Sequence, residues 1–195
     1  TIVFQGTVEE LEDFEHPFKD EVIRSLEGLQ EELTGLRSKR QFKVLYHANL
    51  KRSALGESYT VLVFTLEALD AVITALGYDA AQKTIHYMGL FIDKHFAPIG
   101  GFSTRISFNE FVTMLPYSDR AEAEAIVKDF IPDLQEGIRQ IQEGTRRKAT
   151  SGECIEFVVH AGLAQGNPLE EIDSVIESAK RQQKEIGRLQ CATQE

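Results

Sequence analysis

Residues 58–66, SYTVLVFTL, constrain the fold of this chain more than any other stretch. They are rich in β-branched and aromatic residues, and a strand built from them would be apolar on both faces. Such a strand is stable at the centre of a sheet that is covered on each side, usually by helices. The sequence therefore predicts a layered domain with this strand in the middle.

The patterns around that strand predict the element order α-α-β-α-α-β-β-α-β-α. The expected helices cover residues 17–34, 39–55, 67–76, 79–96, 119–145 and 168–189, and the expected strands cover 58–66, 102–108, 110–116 and 154–164. Two βαβ-like crossovers around a hairpin predict an α+β fold. Its ferredoxin-like sheet contains antiparallel strands, is flanked by helices and follows an N-terminal helix.

Local signals set several boundaries of the first elements. Gly77 ends one helix, and Asp79 is predicted to cap the next. Phe108 and Asn109 link the two middle strands, and asparagine tolerates the positive φ that a tight hairpin turn can require. The sequence therefore predicts a β-hairpin over residues 102–116.

The last two helices carry their own signals. Asp119 followed by Glu122 resembles a capping box. Pro132 removes a backbone donor and is predicted to kink or split the long helix that follows. Residues 167–170 combine a capping asparagine, a proline and an acid, so the final helix is predicted to start there and to run to about Leu189.

The predicted organisation is one domain preceded by a short lead-in. Residues 1–16 are acidic and open with a stretch that resembles a tag remnant. Residues 17–34 have an apolar stripe that fits either a helix packed on the domain or a coiled-coil stalk. The domain itself is expected to cover residues 35–190.

The composition argues against several classes of function. The formal net charge is −10, and no basic stripe is present for nucleic acid or for an anionic membrane. No apolar stretch approaches the roughly 20 residues that span a bilayer, and no signal peptide is visible, so the fragment is expected in the cytoplasm. The two cysteines and five histidines lack metal-ligand spacing and are interpreted as structural.

Four stretches of the chain together resemble one protein family. They are LTGLRSKRQF (33–42), LVFTLEALDAVITALGYDAAQ (62–82), RISFNEFVTMLP (105–116) and DSVIESAK (173–180). In this order they are similar to the motifs of the GGDEF diguanylate cyclase family, and the resemblance covers residues 31–189. It implies a nucleotide-cyclase-like fold and a reaction that joins two GTP molecules with the help of Mg²⁺.

The chain departs from that family where the metal would bind. The resemblance places Thr65 at the metal-binding strand carboxylate, and a neutral hydroxyl is a poor Mg²⁺ ligand. Both glycines of the signature are replaced, one of them by Phe108, which would block a phosphate from the backbone. Asn109 is neutral, so Glu110 is the carboxylate that the signature keeps. Glu67 is a second carboxylate near the same place.

The nucleotide-binding positions depart as well. The resemblance places Ile73 and Thr74 where the family has the Asn-Asp pair that reads guanine, and isoleucine cannot hydrogen-bond a purine. Asp70 reverses the charge of a family lysine. Lys180 matches a phosphate-binding lysine, and Lys184 lies one helical turn later if the helix continues. These two lysines are either a residual phosphate clamp or an ordinary solvated basic stretch.

The resemblance and the departures together predict a catalytically inactive signalling module. The expected partner is another protein or a neighbouring domain of the same chain, with any homodimer formed through the N-terminal helix. No cofactor is expected, and the family's inhibitory Arg-x-x-Asp motif is absent from the chain. Two alternatives are a sensor that binds GTP or cyclic-di-GMP without turnover and a residual cyclase that uses Glu67 and Glu110.

Overall fold

The strand predicted from residues 58–66 lies at the centre of the sheet. The computed structural model describes residues 28–53, 58–67, 69–146, 155–166 and 170–189. In it, strand β1 (Tyr59–Leu66) has neighbours on both sides, and Tyr59 and residues 61–64 have no exposed surface. The prediction of a central strand covered on both faces is confirmed.

The described residues form an α+β fold with the order α-β-α-α-β-β-α-β-α-β. The helices are α1 (Lys39–Ser53), α2 (Leu69–Leu76), α3 (Tyr78–Phe96), α4 (Arg120–Arg146) and α5 (Ile172–Arg181), with a 3₁₀ turn at Ala97–Ile99. The other strands are β2 (Phe102–Arg105), β3 (Glu110–Pro116), β4 (Phe157–Gly166) and β5 (Lys184–Leu189). The sheet order is β2-β3-β1-β4-β5, and every neighbouring pair is antiparallel. None of the described helices is long and apolar enough to cross a membrane.

Side chains of β1 alternate between two hydrophobic cores. On one face the ring of Phe64 lies 5.6 Å from the rings of both Phe96 in α3 and Phe130 in α4. On the other face the Tyr59 hydroxyl lies 3.0 Å from that of Tyr46 in α1, and α5 covers the rest of this face. Helices α2, α3 and α4 thus lie on one side of the sheet, with α1 and α5 on the other.

The prediction of a final helix running to Leu189 is wrong. Helix α5 starts at Ile172 and ends at Arg181, and the chain then forms β5 along the edge of β4. Pairing with β4 provides backbone hydrogen bonds for both strands, which outweighs the local helical pattern. The predicted start at residues 167–169 lies outside the described residues.

Three further local predictions have different outcomes. The capping box is confirmed, since Asp119 and Glu122 exchange two hydrogen bonds of 2.9 Å between backbone N–H groups and side-chain oxygens. Pro132 does not split α4, which is one continuous helix. Asp79 does not cap α3, because Gly77 occupies the N-cap with φ of 86° and places Asp79 inside the first turn.

The hairpin of β2 and β3 is confirmed, with a four-residue connection from 106 to 109. Asn109 does not adopt positive φ, and Tyr117 is the one described residue other than glycine that does. Residues 28–34 form turns rather than the end of a helix, because Gln30 pairs with Arg37 across a turn. The rest of the predicted helix 17–34 and Cys154 lie outside the described residues.

An ion pair joins this entry turn to the hairpin. Arg105 of β2 donates to Glu31 Oε1 at 2.5 Å, and both side chains are only about one-fifth exposed, at 21% and 20%. Glu31 Oε2 accepts hydrogen bonds from the backbone N–H and the hydroxyl of Thr34. Arg105 also donates to the Ser107 carbonyl at 3.3 Å. The entry turn and the connection between β2 and β3 are therefore held by one guanidinium.

The same contacts determine how Glu31 titrates. Burial raises the pKa of its carboxyl, but hydrogen bonds from Arg105 and Thr34 and the charge of Arg105 outweigh burial, so the pKa lies below 4.5. A carboxyl whose pKa is lower in the folded than in the unfolded chain stabilises the fold above its unfolded pKa. That contribution is lost as the pH falls through the folded pKa.

We expect Glu31→Gln to lower the free energy of unfolding at pH 7 by about 1–3 kcal/mol, because it removes a charge-assisted bond and leaves Arg105 short of its partner. The difference from the unmodified chain should shrink as the pH falls below 4.5. Urea unfolding at pH 7 and at a pH below 4.5 measures this difference. The control is Glu32→Gln, a neighbouring exposed position, which should change stability by less than about 0.5 kcal/mol. Equal losses in the two variants would contradict the prediction.

Candidate functional site

Polar side chains gather where β1 ends, on the sheet face that α5 covers. Thr65 near the end of β1 is paired with Glu110 of β3 on one side and His160 of β4 on the other. His160 in turn pairs with Glu185 of β5. Residues directly opposite one another on neighbouring strands point to the same face. The register therefore places a row of polar side chains across four strands.

Lys180 from α5 lies over this row and binds Glu110. Its Nζ is 3.0 Å from each carboxylate oxygen of Glu110, and the two side chains are 26% and 23% exposed. Glu177, one turn earlier on α5, is 3.6 Å from the same ammonium. The carboxylate predicted as the last one of the signature is thus already paired with the lysine predicted to bind phosphate.

The other polar groups of the row also have partners within the chain. Gln183 donates from Nε2 to the Thr65 hydroxyl at 2.7 Å and to the Val63 carbonyl at 3.5 Å. Glu67 lies 3.3 Å from Nδ1 of His160. Sequence reasoning missed both Gln183 and His160. His160 reaches the site through the pairing of β4 with β1, which no motif indicates. Gln183 reaches it because α5 ends at Arg181 and the chain turns into β5, which was not predicted.

Aromatic packing fills the space beside the connection of 106–109. The rings of Phe108 and Tyr78 are stacked, with centroids 6.2 Å apart and planes inclined by 15°. Phe108 and Ile73 are both half-buried and pack against the core on the α3 side of the sheet. The site residue Thr74 donates its hydroxyl to the Asp70 carbonyl, one turn earlier in α2.

The connection itself is closed by its own side chains. The Ser107 hydroxyl donates to Glu110 Oε2 at 3.0 Å and lies 3.5 Å from Oδ1 of Asn109. Asn109 is half-buried, and its carbonyl accepts from the backbone N–H of Leu66 at the end of β1. The connection therefore lies against the end of the central strand.

Lys184 lies away from this group, which corrects the prediction that it shares a helical face with Lys180. It belongs to β5 and pairs with Ala161. With Leu62 and Val127 it lines a separate cavity of about 250 Å³ beside α4, on the opposite face of the sheet. The change follows from the end of α5 at Arg181. Lys180 and Lys184 do not form one clamp.

Most of the predicted site residues are therefore brought together. Thr65, Glu67, Asn109, Glu110 and Lys180 meet at the end of β1, and Ile73 and Thr74 lie on α2 beside it. Among the described residues, no group of three or more histidine, cysteine or acidic side chains is placed to hold a metal ion.

Comparison with known proteins identifies the family of this domain. A model of the GGDEF domain of diguanylate cyclases matches residues 29–186. Comparison with curated protein sequences finds no match for the chain. The fold is shared with solved structures of low sequence identity, so those structures support the architecture.

One such structure is the coiled coil and GGDEF domain of DgcB from Caulobacter crescentus in complex with c-di-GMP, at 18% identity and a TM-score of 0.60, covering 89% of this chain and 85% of that one. Diguanylate cyclase SiaD from Pseudomonas aeruginosa, in complex with its activator SiaC, has 15% identity and a TM-score of 0.66, covering 90% of this chain and 65% of that one. The active GGEEF domain of a diguanylate cyclase from Vibrio cholerae has 13% identity and a TM-score of 0.58, covering 75% and 87%.

The family model spans most of the chain and includes the entry turn, the hairpin and the start of β5. The resemblance read from the four motifs is confirmed, and the chain belongs to the GGDEF family of diguanylate cyclase domains.

Proposed function

We propose that this chain is a catalytically inactive GGDEF domain that acts in cyclic-di-GMP signalling by binding a protein partner or a neighbouring domain. The observation that carries the proposal is the pairing of Glu110 with Lys180 at 3.0 Å. Glu110 is the carboxylate that the signature keeps, and Lys180 matches the family's phosphate-binding lysine. In this chain the two side chains form an ion pair with each other. Neither is then available for a nucleotide or a metal without breaking that pair.

The residues present do not fit the Mg²⁺ ions that the family's reaction implies. Mg²⁺ takes hard oxygen ligands, usually one or two carboxylates together with substrate phosphates. At the end of β1 the chain offers the Thr65 hydroxyl, which already accepts a bond from Gln183, and the Glu110 carboxylate, which Lys180 holds. Both groups would have to give up these partners before they could bind Mg²⁺.

The nucleotide-reading positions support the same proposal. Phe108 lies where the signature has a glycine, and its stack with Tyr78 occupies space next to α2. Ile73 packs on the core, and the Thr74 hydroxyl is used within α2. An unpaired polar edge of a buried ligand costs about 1–3 kcal/mol, so guanine would lose affinity at these positions.

The two alternatives have less support. A nucleotide sensor would need Asn109, Glu110 and both lysines, but Lys184 lies on the other face of the sheet. A residual cyclase would need Glu67 beside Glu110 as a metal ligand. Glu67 instead contacts His160, across the strand from Glu110.

We expect no cyclic-di-GMP when the chain is incubated with GTP and either Mg²⁺ or Mn²⁺, because the charges needed for metal binding are paired within the chain. Chromatography of the reaction mixture measures the product. The active GGEEF domain from Vibrio cholerae is the positive control. Turnover that disappears in Glu110→Gln would refute inactivity, whereas turnover that persists in that variant would indicate a contaminating enzyme.

We also expect no binding heat when GTP or cyclic-di-GMP is titrated to millimolar concentration. Calorimetry on the intact chain and on Lys180→Met makes the test. If Lys180 were a phosphate ligand, the intact chain would bind GTP and the variant would bind it more weakly. That pair of results would favour the sensor over the interaction module.

A protein partner is the remaining part of the proposal. SiaD has the same fold and was solved bound to its activator SiaC, and DgcB was solved with a coiled coil. The complex of SiaD with its activator supports a role for protein contacts in proteins that contain this fold. We extend this to the present chain, with any self-association through residues 17–34.

We expect a chain that begins at residue 28 to be monomeric, because it keeps the entry turn and Glu31 but lacks most of the proposed association segment. Light scattering of the intact and shortened chains, with matched concentrations, measures the mass. Circular dichroism checks that the shortened chain is folded. A dimer that persists after the truncation would place self-association on the domain and contradict the proposal.

A further inference from the structure

A second cavity lies in the groove between α1 and α5, and Lys180 is the one residue that it shares with the predicted nucleotide site. Its volume is about 310 Å³, which is at the small end of the range for small-molecule sites. Phe42, Ile172 and Ile176 are buried and Ile106 is half-buried, and these four give the cavity an apolar floor. A ligand that fits here must have an apolar body.

The α1 wall of this cavity is basic. Lys39 and Lys43 line it, and both are exposed. They are four residues apart on one helix and therefore share a face. Neither forms an ion pair with another described residue. Two uncommitted ammonium groups on one wall favour an anionic group on the ligand.

The α5 wall carries one carboxylate that forms no ion pair with another described residue. Lys180 and Glu177 also line the cavity. Lys180 is bound to Glu110 and lies 3.6 Å from Glu177, so both side chains already take part in ion pairs. Asp173 has no ion pair among the described residues. It faces the cavity from the first turn of α5, opposite the lysines of α1. This wall therefore favours a cationic group on the ligand.

A buried hydroxyl lies in the floor between the two walls. Thr104 of β2 is 1% exposed, and its hydroxyl has no hydrogen-bond partner among the described residues. Buried hydroxyl groups are nearly always hydrogen-bonded, so this one calls for a partner. Because Thr104 lines the cavity, a ligand bound there can supply this partner. The middle of the ligand is then expected to be polar.

We propose that this cavity binds a short peptide of two or three residues with free termini and apolar side chains. The peptide carboxylate lies at Lys39 and Lys43, and its ammonium group lies at Asp173. The central amide meets the Thr104 hydroxyl, and the side chains cover Phe42 and the isoleucines. This proposal does not depend on the proposed loss of catalysis.

The first test titrates the intact protein with the dipeptide Leu-Leu, up to millimolar concentration, by calorimetry. N-acetyl-Leu-Leu and Leu-Leu-amide are the matched ligands, because each lacks one terminal charge. We expect Leu-Leu to bind and each blocked form to bind at least about tenfold more weakly. Absence of binding by Leu-Leu, or equal binding by the three peptides, would overturn the proposal.

Protein variants then assign the contacts. K39E/K43E should lose binding, whereas K83E/K94E makes the same charge change at exposed positions of α3 and should keep it. Equal loss in the two double variants would reduce the effect to net charge and overturn the site. Melting followed by circular dichroism confirms that each variant is folded.

Two single variants separate the remaining contacts. Asp173→Asn should bind Leu-Leu and its N-acetylated form equally, because the charge that distinguishes them is gone. Thr104→Val should bind Leu-Leu more weakly while melting no lower than the unmodified chain, since it removes a hydroxyl that has no hydrogen-bond partner in the described part of the chain. A preserved preference in Asp173→Asn, or unchanged affinity in Thr104→Val, would reject the corresponding contact and with it the proposed ligand.

Discussion

The burial of β1 on both faces is the constraint on which the rest of the domain depends. Tyr59 and residues 61–64 have no exposed surface, and fully burying one large apolar side chain contributes about 1.5–3 kcal/mol. A strand of this kind needs a strand on each side and helices above and below. Most side chains of β1 are therefore used for packing, and polar side chains lie at its end, from Thr65 onward. The position of the candidate site follows from the position of the core.

At that end of the sheet, the partly buried carboxylate of Glu110 and the Thr65 hydroxyl bind other groups of the same chain. A partly buried carboxylate is costly unless a cation or hydrogen-bond donors accompany it. Lys180 provides both for Glu110, and Gln183 provides a donor for Thr65. Active sites commonly keep such groups poised for a ligand, at some cost in stability. The pairing here stabilises the end of the sheet without a metal.

Elements with strong local signals could be predicted from the sequence, and elements that depend on distant pairing could not. The apolar run of β1, the hairpin and the capping box at Asp119 each depend on a few neighbouring residues. Strand β5 has no such signal, because residues 181–186 contain neither glycine nor proline to end the helix. It forms because the edge of β4 offers backbone partners. Without β5, the sequence assigns Lys184 to the wrong face and leaves Gln183 out of the predicted site.

The hairpin keeps its shape through residues other than those that carry the family's chemistry. Arg105 holds the entry turn through Glu31 and holds the connection through the Ser107 carbonyl, while Phe111 is buried in the core. The connection from 107 to 109 can therefore change with little effect on the strands. Phe108 packs on the core and on Tyr78, so replacing glycine there adds apolar contact to the fold. Loss of catalysis, as we propose it, is thus compatible with a hairpin that stays packed against the core.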